Sequence, residues 1–255
     1  MSAEQVLVLL TAALAAGWVD AVVGGGGLIQ LPALLLVNPG QPVVTSLATN
    51  KLGSVMGVSS AAITYARRAR PDLPVALPAA GVAVCCAAAG ALCAAALSSA
   101  VLTPVIMVVL LAVAAVVVLR PDLGRTSRPV PRKRRRIAAD VLLTGIVIAF
   151  YDGLVGPGTG TFLVVAFTAL LGMDFVDASA SAKIINAGTN LGALAVFAVQ
   201  GHVLWAIGLA MGVSNIVGAQ LGARMAINRG AGFVRVVLLC VVFVLVVKLG
   251  LERFG

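Results

Sequence analysis

Apolar residues occur in blocks along this chain. They lie at about 5–23, 28–37, 43–66, 74–97 and 101–119, then at about 137–155, 161–172, 177–199, 203–226 and 232–250. Most blocks reach the roughly 20 residues that a bilayer span requires. Two do not, 28–37 and 161–172. Each follows a glycine-rich break: "GGGGLIQLPALLL" from Gly24 to Leu36, and "GPGTGTF" from Gly156 to Phe162. The pattern predicts an all-α polytopic membrane protein with about 8–10 transmembrane or half-membrane helices, two of them opening at a glycine break.

The two short blocks point to an internal repeat. Asp20 and Asp152 stand 132 residues apart, and the same offset pairs Val23 with Val155, Gly24 with Gly156, Gly26 with Gly158 and Leu31 with Leu163. It also pairs Gly40 with Gly172, Ala48 with Ala180 and Lys51 with Lys183, with no gap. Matches of Ala, Gly and Val are cheap in such a chain, whereas matches of Asp and Lys are not. The expected organisation is a first transmembrane repeat at 1–119, a linker at 120–136 and a second repeat at 137–255.

Turn charges bear on how the halves are oriented. "RRAR" at 67–70 is basic, while its counterpart "QGHV" from Gln200 has no Lys or Arg. Near Asn228–Arg229 the turn is basic, flanked by Arg224 and Arg235, while its counterpart at Ser98–Ser99 is not. Basic turns stay on the cytoplasmic side, so equivalent turns are expected on opposite sides, as in an inverted repeat. That needs an odd number of crossings per half, with each short block crossing. Re-entrant short blocks would instead give four crossings per half and a parallel repeat. Lys248 and Arg253 fit the inverted arrangement less well.

Composition agrees with a membrane solvent. The 255 residues are 61% hydrophobic and only 11% charged, against roughly 25% charged in soluble domains. Net charge is +9, but much of it is concentrated. "RPDLGRTSRPVPRKRRR", 120–136, carries eight basic residues. Between two apolar blocks this run reads as a cytoplasmic loop beside anionic lipid head groups, rather than as a nucleic-acid site. Cys85, Cys86, Cys93 and Cys240 sit inside apolar runs without metal-ligand spacing. They are expected to be small buried apolar side chains, and no cofactor or metal is implied. Met1 to Gln5 has no basic n-region, so the first block is expected to act as its own insertion signal.

The breaks have a chemical reading. Irregular backbone at membrane depth is tolerated only where protein or a water-filled cavity satisfies it. A helix starting after the break at Leu28 points its positive N-terminal end back at that break, a ready anion site. Gly24, Gly25, Gly26 and Gly27 in the first half, and Gly156, Gly158 and Gly160 in the second, are the candidate backbone of such a site. Thr159 and Thr161 add hydroxyls, and Pro157 fits a helix stop. The competing reading is close helix packing through glycine. Two clusters at matching positions, each four residues after an aspartate, favour binding.

"TSLATNKLGS" from Thr45 and "DASASAKIINAGTN" from Asp177 carry the second constellation. A lysine within an apolar span is costly and functional by default. Lys51 and Lys183 are the positional pair, accompanied by Asn50, Asn186, Thr189 and Asn190. Lys51, Ser54 and Val58 share a helix face, as do Lys183, Asn186 and Asn190. Two roles stay open. The lysines either pair with Asp20 and Asp152 to hold helices together, or bind an anion that competes for the lysine and leaves the aspartate to take a proton. His202 is expected in a solvated outer turn. Trp18, Trp205, Tyr65 and Tyr151 are expected as interface anchors, with Tyr151 alternatively facing the cavity. Asn215 and Gln220 either line the path or bridge helices.

"GWVDAVVGGGGLIQLPALLL", "TSLATNKLGSVMG", "FYDGLVGPGTGTFL" and "ASAKIINAGTN" together resemble the TauE/SafE family of sulfite-exporter-like transporters, also called the toluene sulfonate uptake permease family. The resemblance covers nearly the whole chain. It implies a multi-pass carrier in a bacterial inner membrane for small sulfur-containing anions such as sulfite, sulfonates or sulfoacetate. One departure is visible: Asn50–Lys51 becomes Ala182–Lys183 in the second half, with Asn186 one turn later.

The expected function is therefore a secondary transporter of small anions working by alternating access, with proton coupling through Asp20 and Asp152 as one option. An anion channel is the alternative, and saturation and turnover separate the two. An enzyme is not expected: there is one histidine, no HExxH, no cysteine cluster and no Walker A sequence. A purely structural subunit would tolerate replacement of Lys51 and Lys183. Direction, coupling ion and oligomeric state, a homo-oligomer included, are left open by the sequence.

Overall fold

The computed structural model describes residues 1–69, 71–119 and 145–254. Within them lie nine helices and no strand: α1 (Ala3–Val23), α2 (Gly27–Val37), α3 (Val43–Ala66), α4 (Leu73–Ala96), α5 (Ser99–Leu119), α6 (Gly145–Leu154), α7 (Thr159–Leu171), α8 (Phe175–Val199) and α9 (Trp205–Phe254). The basic linker 120–136 and the start of the block at 137 lie outside the described residues.

Local chemistry sets most of the helix ends. Ser2 and Gln5 form a reciprocal cap on α1, satisfying two otherwise orphaned backbone donors. Gly24 ends the same helix in the left-handed region, φ 84°, and its N–H donates to the Asp20 carbonyl at 2.8 Å. Pro42 precedes α3, and the Asp174 carboxylate accepts from the Val176 and Asp177 N–H groups at the start of α8. α9 is broken at Gly230, φ 69° and ψ −168°, close to the gap expected between the last two apolar blocks.

Among the described residues, four helical stretches are long and apolar enough to cross a membrane: α1, α4, α8 and Trp205–Gly230 of α9. At about 1.5 Å per residue, α2 and α7 are about 17 and 20 Å long, roughly half to two-thirds of a hydrocarbon core. They start at the glycine breaks, so these two stretches begin inside the protein.

The chain sorts by burial. From Val43 to Gly53 every residue of α3 is buried, and Ala178 to Lys183 of α8 are likewise enclosed. These segments carry the polar residues, because protein rather than lipid surrounds them. The outward faces carry Leu7, Leu36, Ile63, Leu92, Leu191 and Val199, an apolar surface suited to hydrocarbon. Cys85 and Cys93 are exposed on that surface and Cys86 is partly so, contrary to the expectation of burial. In a membrane, an outward position suits a small apolar side chain as well as a buried one. The Cys240 side chain lies outside the described residues.

Close helix contacts recur with the halves exchanged. The Leu204 N–H donates to Thr49 Oγ1 at 3.2 Å, and the Asp72 N–H to Ser181 Oγ at 3.0 Å. Gly222 abuts the Trp18 carbonyl of α1, and Gly90 abuts the Phe150 carbonyl of α6. Gly212 packs on Met56, and Gly188 on Ala80. In each pair of contacts both partners are displaced by the offset that separates Asp20 from Asp152.

Candidate functional site

The two glycine breaks meet. A Cβ on Gly24 would stand 2.3 Å from the Gly160 carbonyl carbon and from the Thr161 nitrogen, and one on Gly160 would stand 2.6 Å from Gly24 Cα. Backbone touches backbone, and only glycine at both positions allows it. Thr161 Oγ1 donates across the contact to the Val23 carbonyl at 2.7 Å. Gly27, at the start of α2, lies against Pro157 of the other break. On the second-half side Gly156 and Gly158 adopt φ 99° and 86°, which turns the chain from α6 into α7.

A narrow polar cleft lies at this crossing. Gly24, Gly27, Gly156, Gly158 and Gly160 supply its backbone wall, and Thr159 a hydroxyl. α3 contributes Asn50, Lys51, Ser54 and Val58, and α8 contributes Asn186 and Asn190. Asp20 and Asp152 complete the lining. The shared helix faces read from the spacing therefore converge from two separate helices.

The charged residues pair across the halves. Lys51 Nζ lies 2.8 Å from Asp152 Oδ2, with both side chains almost wholly buried. Lys183 Nζ lies 3.0 Å from Asp20 Oδ2 and also donates to the Asp20 backbone carbonyl. Neither lysine pairs with the aspartate of its own half. Two positive and two negative groups make the cluster neutral overall, the condition under which buried charges are tolerated. Thr159 Oγ1 donates to the other Asp152 oxygen at 2.6 Å.

Several expected site residues sit just off the cleft. Thr161 spends its hydroxyl on Val23, so it ties the breaks together instead of facing a solute. Gly25 and Gly26 are behind the lining, with Gly26 against the Ala16 carbonyl and Asp20 Cβ. Lys183 reaches the cleft only through its partner Asp20. Tyr65 is fully buried and donates to the Ala21 carbonyl at 2.9 Å, which corrects its expected role as an interface anchor: the hydroxyl finds its partner inside the bundle. Tyr151 donates to the Pro157 carbonyl beside the second break. Trp18 stacks edge-on against Phe233, and Trp205 is exposed.

Gln30 is a further polar residue beside the cleft that the motifs alone do not mark. It is fully buried in α2, accepts from Asn215 Nδ2 at 2.7 Å, and directs its own amide toward the Asn50 backbone carbonyl at 3.5 Å. The signal was present, since Gln30 is the one polar side chain in "GGGGLIQLPALLL". Asn215 thus bridges α9 to α2, one of the two roles expected for it.

The description "Sulfite exporter TauE/SafE" matches residues 9–249. Three curated relatives align over nearly the whole chain. A probable membrane transporter protein, ORF9, of Sinorhizobium sp. is 38% identical over 243 residues, covering 94% of this chain and 90% of the relative. The probable membrane transporter protein YfcA of Escherichia coli strain K12 is 33% identical, covering 97% and 90%. A probable membrane transporter protein of Haemophilus influenzae is 32% identical, covering 96% and 94%. No solved structure matches the chain significantly.

Proposed function

The chain belongs to the sulfite exporter TauE/SafE family, and on that premise we propose that it is a secondary transporter that carries a small sulfur-containing oxyanion through a bacterial inner membrane. The observation that carries this reading is the neutral Lys–Asp cluster at the crossing of two glycine breaks. A helix start flanks the cleft from each half, Lys51 lines it, and Lys183 stands behind it on Asp20. An anion entering it gains the positive ends of α2 and α7 and competes with the carboxylates for ammonium groups. The bacterial relatives named as membrane transporters support the same reading.

The contacts that recur with the halves exchanged support two repeats, 1–119 and 137–255, related by a pseudo-two-fold, and the turn charges favour the inverted orientation. In such a repeat the two halves rock about a fixed midplane site. Both ion pairs join one half to the other, so any such motion strains them. Substrate binding that loosens a pair, with a proton neutralising the released aspartate, would couple the motion to transport.

Uptake of radiolabelled sulfite into proteoliposomes, with and without a pH gradient, tests this. Saturable flux is expected from the wild type and its loss from Lys51→Ala and Lys183→Ala. The charge-neutral double variant Lys51→Ala/Asp152→Asn separates lost binding from lost folding. Unchanged saturable flux in all three variants would overturn the site, and non-saturating currents would replace the carrier with a channel.

A further inference from the structure

Asn50 stands apart from the other amides of the cleft. It is 97% buried, lines the cleft, and its Oδ1 has no hydrogen-bond partner. Several donors of the cleft are committed elsewhere. Lys51 and Lys183 are held by Asp152 and Asp20, and Thr159 Oγ1 donates to Asp152. Asn190 Nδ2 donates to Asn186, and the Gln30 amide reaches only the Asn50 backbone. The second half offers no counterpart, because Ala182 occupies the equivalent position. A buried amide acceptor without a donor is costly, and a bound solute can supply the donor.

We propose that the cleft selects anions carrying a hydrogen-bond donor, such as a hydroxyl, an amine or a protonated oxyanion oxygen, over anions of equal charge that carry none, with Asn50 Oδ1 as the group that reads the donor. This rests on the anion-transporter reading above. The lysines and helix starts recognise charge, which every candidate anion shares. Asn50 adds what charge cannot, because a site built around an unpaired acceptor rejects an analogue whose donor is missing. For an oxyanion that titrates, the same acceptor favours the protonated monoanion over the dianion.

Two sulfonates test this without changing size or charge: 2-hydroxyethanesulfonate and 1-propanesulfonate, which differ by a hydroxyl in place of a methyl. Their affinities are measured by calorimetry on the full chain in nanodiscs, for the wild type and for Asn50→Ala. About a tenfold preference for the hydroxyl compound is expected in the wild type, falling to about one in Asn50→Ala. Equal binding of both by the wild type would overturn the inference and leave the anion reading standing. A preference that survives in Asn50→Ala would move the donor-reading role to another group. If neither sulfonate binds and sulfite is not transported, the anion reading itself falls, and the inference with it.

Discussion

The two cross-half ion pairs look alike in sequence and differ in their surroundings. Lys51–Asp152 is sealed, its side chains 2% and 3% exposed, and both Asp152 oxygens have donors, Lys51 on one and Thr159 on the other. Lys183–Asp20 is looser. The Asp20 side chain is 15% exposed, and among the described residues its second oxygen has the Gly26 N–H alone, at 3.4 Å. Similar residues have thus produced one pair buried on both sides and one that water can reach. A fully sequestered pair is expensive to break, because the survivor is left charged and dry. A partly wet one costs less to break, so Lys183–Asp20 is the easier of the two pairs to open.

The largest effect should come from breaking the sealed pair. Lys51→Ala leaves Asp152 unpaired and is expected to cost about 3–5 kcal/mol of stability. Lys183→Ala should cost less, because Asp20 can hydrate. Thermal unfolding of both variants in the same detergent checks this, and equal losses would erase the distinction. Next in size, Thr159→Val removes the second donor from Asp152 and makes the sealed pair resemble the looser one. About 1.5–3 kcal/mol is expected for a hydrogen bond to a charged group; a loss under half of that, by the same melting measurement, would mean that the lysine alone satisfies Asp152. The smallest effect should be at Asn50. Its Oδ1 has no partner to lose, so in Asn50→Ala the removal of an unsatisfied buried acceptor offsets the lost packing, and a net loss below about 1.5 kcal/mol is expected; a larger drop in the same melting measurement would reveal a structural role for the amide.

Much of this architecture was legible in the chain. Helix ends fall within a few residues of the apolar block ends, because a membrane segment must be apolar along its whole lipid-facing length. The glycine breaks and the isolated charges were equally legible, since each violates the rule of its surroundings. Pairing was not. Lys51 stands closer in sequence to Asp20 than to Asp152, and nothing in either motif says that the partner comes from the other half. Tyr65 and Gln30 show the same limit. Both are polar groups in apolar runs, and whether such a group faces an interface or a buried carbonyl depends on a helix folded from elsewhere.

The sequence by itself determined where the helices run, where they break and which few polar residues sit at membrane depth. These follow from local rules: backbone satisfaction, glycine's freedom of φ and the cost of a charge in hydrocarbon. The tertiary structure alone decided that the breaks touch at Gly24 and Gly160, that the lysines cross between halves, and that one pair is buried on both sides while the other leaves its aspartate partly exposed. Burial and pairing are properties of neighbours, and these neighbours lie more than a hundred residues apart along the chain.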